Sequence, residues 1–487
     1  MFHIADIKKY RFCTRFFWYH KNDRPLDRIP FIRIEEKMTE LAREKFKITD
    51  YFWGERNDTN QISLTSFEQH EWGFHVRWQA ANLRIQVPLM HKTLDGYHLY
   101  FTFLGGLPKR DDSRNLADHL WVLAENGIEV CKISVLHFNP HYVRQEHLDI
   151  DELLVVSDTF YNAKSSPTED MTIAAFQKVQ DLSETLALME ETLQADIPKA
   201  VKLPRCYRRM RCGYYPRCFP DEVSESNDSI WTLVNSGQKD QFIKKGITRL
   251  DQLTGEEIDG DRVQYAQIMA ARNQGIFVDK MALKNWLDHF AKPYAFLDFE
   301  WDMMAIPPYQ GLKPMEVIPF QYSLHLLNEQ ELTHHQFLGM GDCRLALIEQ
   351  LLKDVPDYGT IFAYNADGAE KLRLLELARQ FPQHEKALQN IAKRLVDIAQ
   401  PLFLGLYYDI RLKGSFTLKK VIEIICPELA YHDLAIQHGL EAVMQWRQAD
   451  QMDLLLSEDS KEELFAYCQR DTLAMVKMIE YFKNLVK

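Results

Sequence analysis

No stretch of the 487-residue sequence holds 18 consecutive uncharged apolar residues, and this excludes a transmembrane helix. The opening segment, "MFHIADIKKYRFCTRFFWYHKNDR", has no uninterrupted apolar core and no small-residue cleavage site. It therefore predicts no signal peptide and a cytoplasmic protein. Basic residues are not in excess: 58 Lys and Arg stand against 70 Asp and Glu, a formal net charge of −12. If such a chain binds nucleic acid, it must do so through local basic patches and metal ions. There is no internal repeat and no low-complexity tract, so repeat architectures are excluded. Cysteines number only eight, and in a cytoplasmic setting they predict no disulfide framework. Cys131, Cys343, Cys426 and Cys468 stand singly among apolar neighbours and read as buried small hydrophobes.

What is present is a soluble, globular composition, 46% hydrophobic and 26% charged, in a chain too long for one ordinary core. Alternating stretches such as "FHVRWQ" and "LRIQVPL" between residues 60 and 145 predict a sheet, with a helix near "RNLADHLWVLAENG". Residues 170–195 predict one amphipathic helix. The polar, breaker-rich "FPDEVSESNDS", 219–229, marks a boundary. A short helical region follows to about 285, and from 294 strands alternate with helices, the pattern of an α/β domain.

Three segments carry candidate chemistry. In "AFLDFEWDMM" an apolar run leads into Asp298 and Glu300, two apart and so on one face of a strand. Paired carboxylates repel, and a hard divalent cation such as magnesium or manganese removes the penalty. The plainer reading is a strand that ends at the surface. "KEELFAYCQRDTLAMVKMIEYF", 461–482, predicts a long helix with Tyr467 and Asp471 neighbouring on an apolar face. These two are either a core hydrogen bond or a metal carboxylate beside a water-orienting phenol. "TIFAYNADGAEKLRLLELARQFP", 360–382, predicts strand, turn and a helix from Gly368. Its polar candidates are Asn365, Asp367 and Glu370, although Asp367 and Glu370 also fit a capping box. Asp397 in "RLVDIAQ" is a fallback ligand or a structural acid. Lys419 and Lys420, after a predicted Ser415 cap, either meet phosphates or are a solvated pair.

The D-x-E strand, the Asn-plus-acid turn and the Y-x-x-x-D helix together resemble the DnaQ-like (DEDD) exonucleases, which have a ribonuclease H-like fold. Over about 290–487 the chain also resembles a bacterial family described only as a domain of unknown function. That second resemblance rests on "FLDFE", "AIPPYQG", "PFQYSLH", "GSFTLKKV", "CPEL" and "YCQRDTLAMV". The DnaQ-like resemblance implies two-metal phosphodiester hydrolysis, with ions about 3.5–4 Å apart. It makes Asp298, Glu300, Glu370 and Asp471 the ligands of two Mg2+ or Mn2+ ions. Tyr467 would position the attacking water. One departure is visible: the family's middle acid falls four residues after the asparagine, where this chain has Ala369, and Glu370 comes one later.

In the N-terminal half, Cys13 stands alone and Cys206, Cys212 and Cys218 cluster in "CYRRMRCGYYPRC". This placement resembles the iron–sulfur RecB-like nucleases of the PD-(D/E)XK class, including CRISPR-associated RecB-like exonucleases. It implies a [4Fe–4S] cluster on the four cysteines, with zinc as the alternative. The RecB-like metal residues are missing: Gln86, Phe101 and Phe103 stand at the Asp, Glu and Lys positions, and Trp121 at a family glutamine. Asp95 and Lys109 are the nearest substitutes. Basic and aromatic residues flank the cysteines: Lys8, Lys9, Arg11, Arg15, Phe16 and Trp18, then Arg205, Arg208, Arg209, Arg211, Tyr214, Tyr215 and Arg217. They are either a single-strand grip or the rim of a metal site. "FIKKGITRLDQL", 242–253, weakly resembles a helix-hairpin-helix.

The expectation is thus an α/β protein of three parts. Residues 1–220 form a degenerate RecB-like iron–sulfur domain, 221–289 a helical linker, and 290–487 a ribonuclease H-like exonuclease domain. Its partner is single-stranded DNA or RNA, with no membrane. The rival expectation is a non-catalytic nucleic-acid-binding protein with two decayed nuclease domains.

Overall fold

Apolar and polar residues alternate through "LRIQVPL", and burial alternates with them in strand Leu83–Thr93: Leu83, Ile85, Val87 and Leu89 are buried, while Arg84 and Gln86 are partly open. The computed structural model describes all residues except 24–33, 105–106, 208–211, 221–225, 259, 330 and 452–455. The chain is a mixed α/β protein in two units. One comprises Met1–Val223 with Ala305–Glu316, the other Ser224–Met304 with Val317–Lys487. No helix among the described residues is long and apolar enough to cross a membrane. All eight cysteines are free.

The first unit is built on a seven-stranded sheet. Strands Trp72–Ala80, Leu83–Thr93 and Gly96–Phe103 run antiparallel in sequence order. Gly96–Phe103 then pairs in parallel with Val130–Phe138, a connection that requires a crossover. Helix Ser113–Glu125 supplies it and buries Leu116, Leu120, Trp121 and Leu123. The single helix expected over 170–195 is two, Met171–Phe176 and Ser183–Gln194. Asp170 caps the first, and the Asp181 carboxylate accepts from Ser183 N–H (2.9 Å), so a second start interrupts the periodic pattern. Residues 305–316 pack in this unit, where Arg144 Nη1 donates to the Pro307 carbonyl (2.8 Å).

In the second unit a five-stranded sheet has the order Glu331–Leu338, Val317–Asn328, Tyr294–Met303, Thr360–Ala363, Leu395–Asp397. The first three strands are antiparallel, and the last two are parallel to Tyr294–Met303. The central strand separates two apolar layers. Ala295, Leu297 and Phe299 face the helices Arg344–Asp354, Glu370–Gln380 and Glu385–Arg394. Tyr294 and Phe296 face the C-terminal helix Glu458–Leu485, which answers with Met475, Met478, Ile479 and Phe482. Asp298 and Glu300 continue the Phe296 side and so point toward that helix.

The segment 242–253 is a helix, Lys239–Lys244, followed by a 3-10 turn, Leu250–Gln252. Its hairpin amides are spent within the chain: Gly246 and Ile247 donate to helix carbonyls, and Thr248 and Arg249 donate to Gln252 Oε1.

Helix Gly439–Gln451 is tied to the central strand by Arg447, which grips the fully buried carboxylate of Asp302 (Nε to Oδ2, 2.8 Å). Removing the guanidinium strands a buried charge. Arg447→Ala is therefore expected to lower unfolding stability by roughly 3 kcal/mol in chemical denaturation, and Asp302→Asn in the same background to recover part of it.

Candidate metal centre

Among the described residues, one group of three potential ligands brings its atoms within 4.8 Å of one another: Asp298, Glu300 and Asp471. The strand period supplies the first two. A register shift between Glu300 and Trp301 interrupts the pairing directly after the second acid, and the pairing resumes through Met303. Asp471 comes from the buried face of the C-terminal helix. Hydroxyls anchor that face to the sheet: Thr472 Oγ1 lies 2.7 Å from Ser323 Oγ and 2.8 Å from His325 Nδ1. Asp298 and Glu300 keep part of their surface open although protein surrounds them closely, the condition of groups recessed in a cleft.

Glu370 is the first residue of its helix and is only 2% exposed, with Oε2 lacking any hydrogen-bond partner. It lies outside the tight group of three but close enough that its charge raises the pKa of both Asp298 and Glu300. The helix expected from Gly368 starts two residues later because Asn365, at φ +59°, turns the chain through Tyr364–Ala369. Asp367 does not cap it. Its side chain is 77% exposed and pairs with Lys371 (2.7 Å). Asn365 is exposed as well, and Asp397 accepts amide bonds from Asn365 and Ala399, a turn-holding role.

All four carboxyls titrate high. Burial raises Asp298 and Glu300 well above the carboxylate range, and neighbouring negative charges add to it. Burial lifts Glu370 to about 8 and Asp471 to about 6. Asp471 is restrained by the hydroxyl of Tyr431, which donates to Oδ1, and by the charges of Lys419 and Arg470. Tyr467, 5% exposed, is pushed far up by burial and by Asp471, Glu300 and Asp298, so it keeps its proton. It makes no hydrogen bond to Asp471 among the contacts described; Tyr431 has that place.

Five further residues shape the site, and of these the sequence marks only Lys419, as a candidate phosphate contact, and Cys468, as a buried hydrophobe. Tyr431 opens a short 3-10 turn, Tyr431–Asp433, where no spacing betrays it. Lys419 lies in the first turn of helix Leu418–Ile425, whose cap is Thr417 rather than Ser415. Gly439 opens its helix against the pocket: a methyl there would sit 3.4 Å from Glu300 Oε2 and 3.8 Å from Tyr467 Oη. Arg470 donates to the Ala430 carbonyl and Asp433, fixing the loop of Tyr431. The Cys468 thiol, buried as expected, lies 3.3 Å from Asp298 Oδ2. Cys131, expected to be buried, is exposed.

In the first unit Cys13, Cys206, Cys212 and Cys218 line one cavity with Phe12, Phe16, Val201, Tyr214, Tyr215 and Phe219. The described arginines around it are engaged within the protein. Arg11 forks onto Asp118 (2.6 and 2.8 Å), Arg15 donates to the Pro198 carbonyl, Arg205 to the Arg11 and Phe12 carbonyls, and Arg217 to Asp23. Lys9 pairs with Asp6, whereas Lys8 is exposed. Arg208, Arg209 and Arg211 lie outside the described residues. Gln86 bonds His75, and Phe101 packs edge-on against His119. Phe103 is partly buried and Trp121 is buried, while Asp95 and Lys109 are exposed.

The second unit is thus an α/β scaffold carrying an acidic pocket suited to a hard cation. Residues 295–417 match a family model described as "Domain of unknown function (DUF2779)". The match takes in Asp298, Glu300 and Glu370 and ends before Lys419, Tyr431, Tyr467 and Asp471. No curated protein matches the chain.

In the unfolded chain these carboxyls titrate near 4. Their folded pKa values are higher, so the folded state holds more protons over the interval between. The stability this lends is complete below the unfolded value and is lost as pH rises toward about 8. A bound divalent cation favours the ionised forms and reverses the trend. The cation-free melting temperature should therefore fall from pH 5 to pH 8, and millimolar Mg2+ or Mn2+ should restore more at pH 8 than at pH 5. Asp471→Asn should flatten both responses. Asp367→Ala should change stability by less than about 0.5 kcal/mol, the ordinary effect of an exposed pair. A cation shift independent of pH would count against the centre.

Proposed function

We propose that this chain is a metal-dependent 3′→5′ exonuclease that hydrolyses phosphodiester bonds of single-stranded DNA or RNA. The observation that carries the reading is the convergence of Asp298, Glu300 and Asp471 within 4.8 Å, from a strand and a helix far apart in sequence. The strand order supports a ribonuclease H-like, DnaQ-like reading of the second unit: three antiparallel strands, then two parallel ones, with a C-terminal helix packed on the sheet. The polarity of digestion comes from the DnaQ-like resemblance.

The donor set fits two hard divalent cations. It is all carboxylate, it is crowded enough to suppress its own ionisation, and Glu370 Oε2 is buried without a partner. Asp298, Glu300, Asp471 and Glu370 would hold them. When bound, such ions supply Lewis acidity to a phosphoryl group and lower the pKa of water. In the hydrolysis a water oxygen bonds to phosphorus and the bond to the preceding nucleotide's O3′ breaks. The water gives up a proton and O3′ gains one. The Tyr467 hydroxyl, whose pKa burial and the neighbouring acids push up, would orient the water beside Glu300. Tyr431 holds Asp471 in place.

The first unit is read as a RecB-like module without catalysis, because Gln86, Phe101 and Phe103 supply no metal carboxylate. Its four cysteines line one cavity and fit a [4Fe–4S] cluster, with zinc as the alternative thiolate-bound metal. Among the described residues the engaged arginines favour the rim reading over the grip, and substrate binding is assigned to the second unit on that ground.

Asp298→Ala and Asp471→Ala should each lower Mg2+-dependent release of mononucleotides from single-stranded DNA or RNA by at least about 100-fold, without lowering the cation-free melting temperature. Parent-like activity in either variant would reject the assignment. Anaerobically purified protein should be brown and carry about four irons per chain. One zinc and no iron would replace the cluster.

A further inference from the structure

A phosphodiester is an anion, and it must approach a pocket lined by four acids. Repulsion on that path has to be met by positive charge fixed at the right place. Lys419 is such a charge. It projects from the first turn of helix Leu418–Ile425, and its Nζ stands 5.0 Å from the ring centroid of Tyr431 and 5.1 Å from that of Tyr467. These tyrosines carry the hydroxyls that reach Asp471 and the neighbourhood of Glu300. The ammonium donates to the Gln437 carbonyl and lies 3.4 Å from His438 Nδ1. An ammonium has three donors, so at least one is left over. No carboxylate of a described residue forms an ion pair with it, although Asp471, Glu300 and Glu441 are near enough to interact with its charge. The next residue contrasts with it: Lys420 pairs with Glu423 (3.3 Å) in its own helix.

From this geometry we infer that Lys419 is a further catalytic residue, whose free N–H contacts a non-bridging oxygen of the scissile phosphodiester and stabilises the charge that gathers there during hydrolysis. The inference rests on the exonuclease reading. Two aromatic faces and a backbone carbonyl hold the ammonium beside the carboxylates without neutralising it against them. It can therefore be offered to substrate while the acids remain available for cations. Tyr431 gains a second task, since it orients Asp471 with its hydroxyl and Lys419 with its ring.

The test uses the full chain and the variants Lys419→Met, Lys419→Arg and Lys420→Met. Two readouts are followed: steady-state hydrolysis of a single-stranded oligonucleotide, and the melting-temperature shift on titration with Mg2+ alone. Lys419→Met should lower kcat about 100-fold, the usual cost of losing one donor to a charged transition state, with KM changed much less. Lys419→Arg should recover part of the loss, and Lys420→Met should match the parent. The Mg2+ shift of Lys419→Met should persist or grow, because a competing cation has left the pocket. An active parent with a Lys419→Met variant inside threefold of it overturns the role of Lys419 and leaves the exonuclease reading standing. Loss of the Mg2+ shift together with activity makes Lys419 structural and likewise overturns the role. A parent that cleaves nothing overturns the exonuclease reading, and this inference with it.

Discussion

Four like charges that cannot all be ionised together dominate the second unit. Asp298 and Glu300 share a strand face, Asp471 meets them from the C-terminal helix, and Glu370 approaches from the start of another. Left alone, they must hold protons that carboxyls in water would lose. Much of the surrounding structure eases that crowding. The Tyr431 hydroxyl reaches Asp471, Lys419 and Arg470 lend positive potential, and Cys468 places a thiol against Asp298. Such an arrangement opposes folding as the acids ionise, and a divalent cation bound there would relieve it.

The scaffold bears this load because its apolar layers are continuous on both sides of the central strand. The residues just beyond Phe296 on one side and Phe299 on the other decide where acid may stand. Three ties then fix the elements carrying the pocket. Arg447 and Asp302 hold the helix that opens with Gly439, Thr472 pins the C-terminal helix to the sheet, and Arg470 holds the loop of Tyr431. Each is a polar contact placed next to a residue of the acidic site, so register along helix and strand is set there.

The first unit uses its positive charge differently. Among the described residues, Arg11, Arg205 and Arg217, which flank the cysteines in sequence, engage carboxylates or backbone carbonyls of the protein. Tyr214 stacks on Tyr19 and meets Phe16 edge-on. Basic residues interleaved with aromatics give the same sequence pattern whether they bind a nucleic acid or brace a cavity. Only their partners separate the two cases.

The sequence by itself determined the parts that repeat locally. The two-residue period put Asp298 and Glu300 on one face, the four-residue period put Tyr467 and Asp471 on another, and apolar runs marked the strands and the long helix. It also kept both candidates for the middle acid in view. Tertiary structure decided between their environments, burying Glu370 beside the cluster and leaving Asp367 in solvent. That choice hangs on a left-handed turn at Asn365, whose conformation depends on how the strand before it and the helix after it are packed. Tyr431, Lys419 and Gly439 were invisible as a group for the same reason. They lie on three separate elements, and contacts across such distances follow from packing and not from any spacing along the chain.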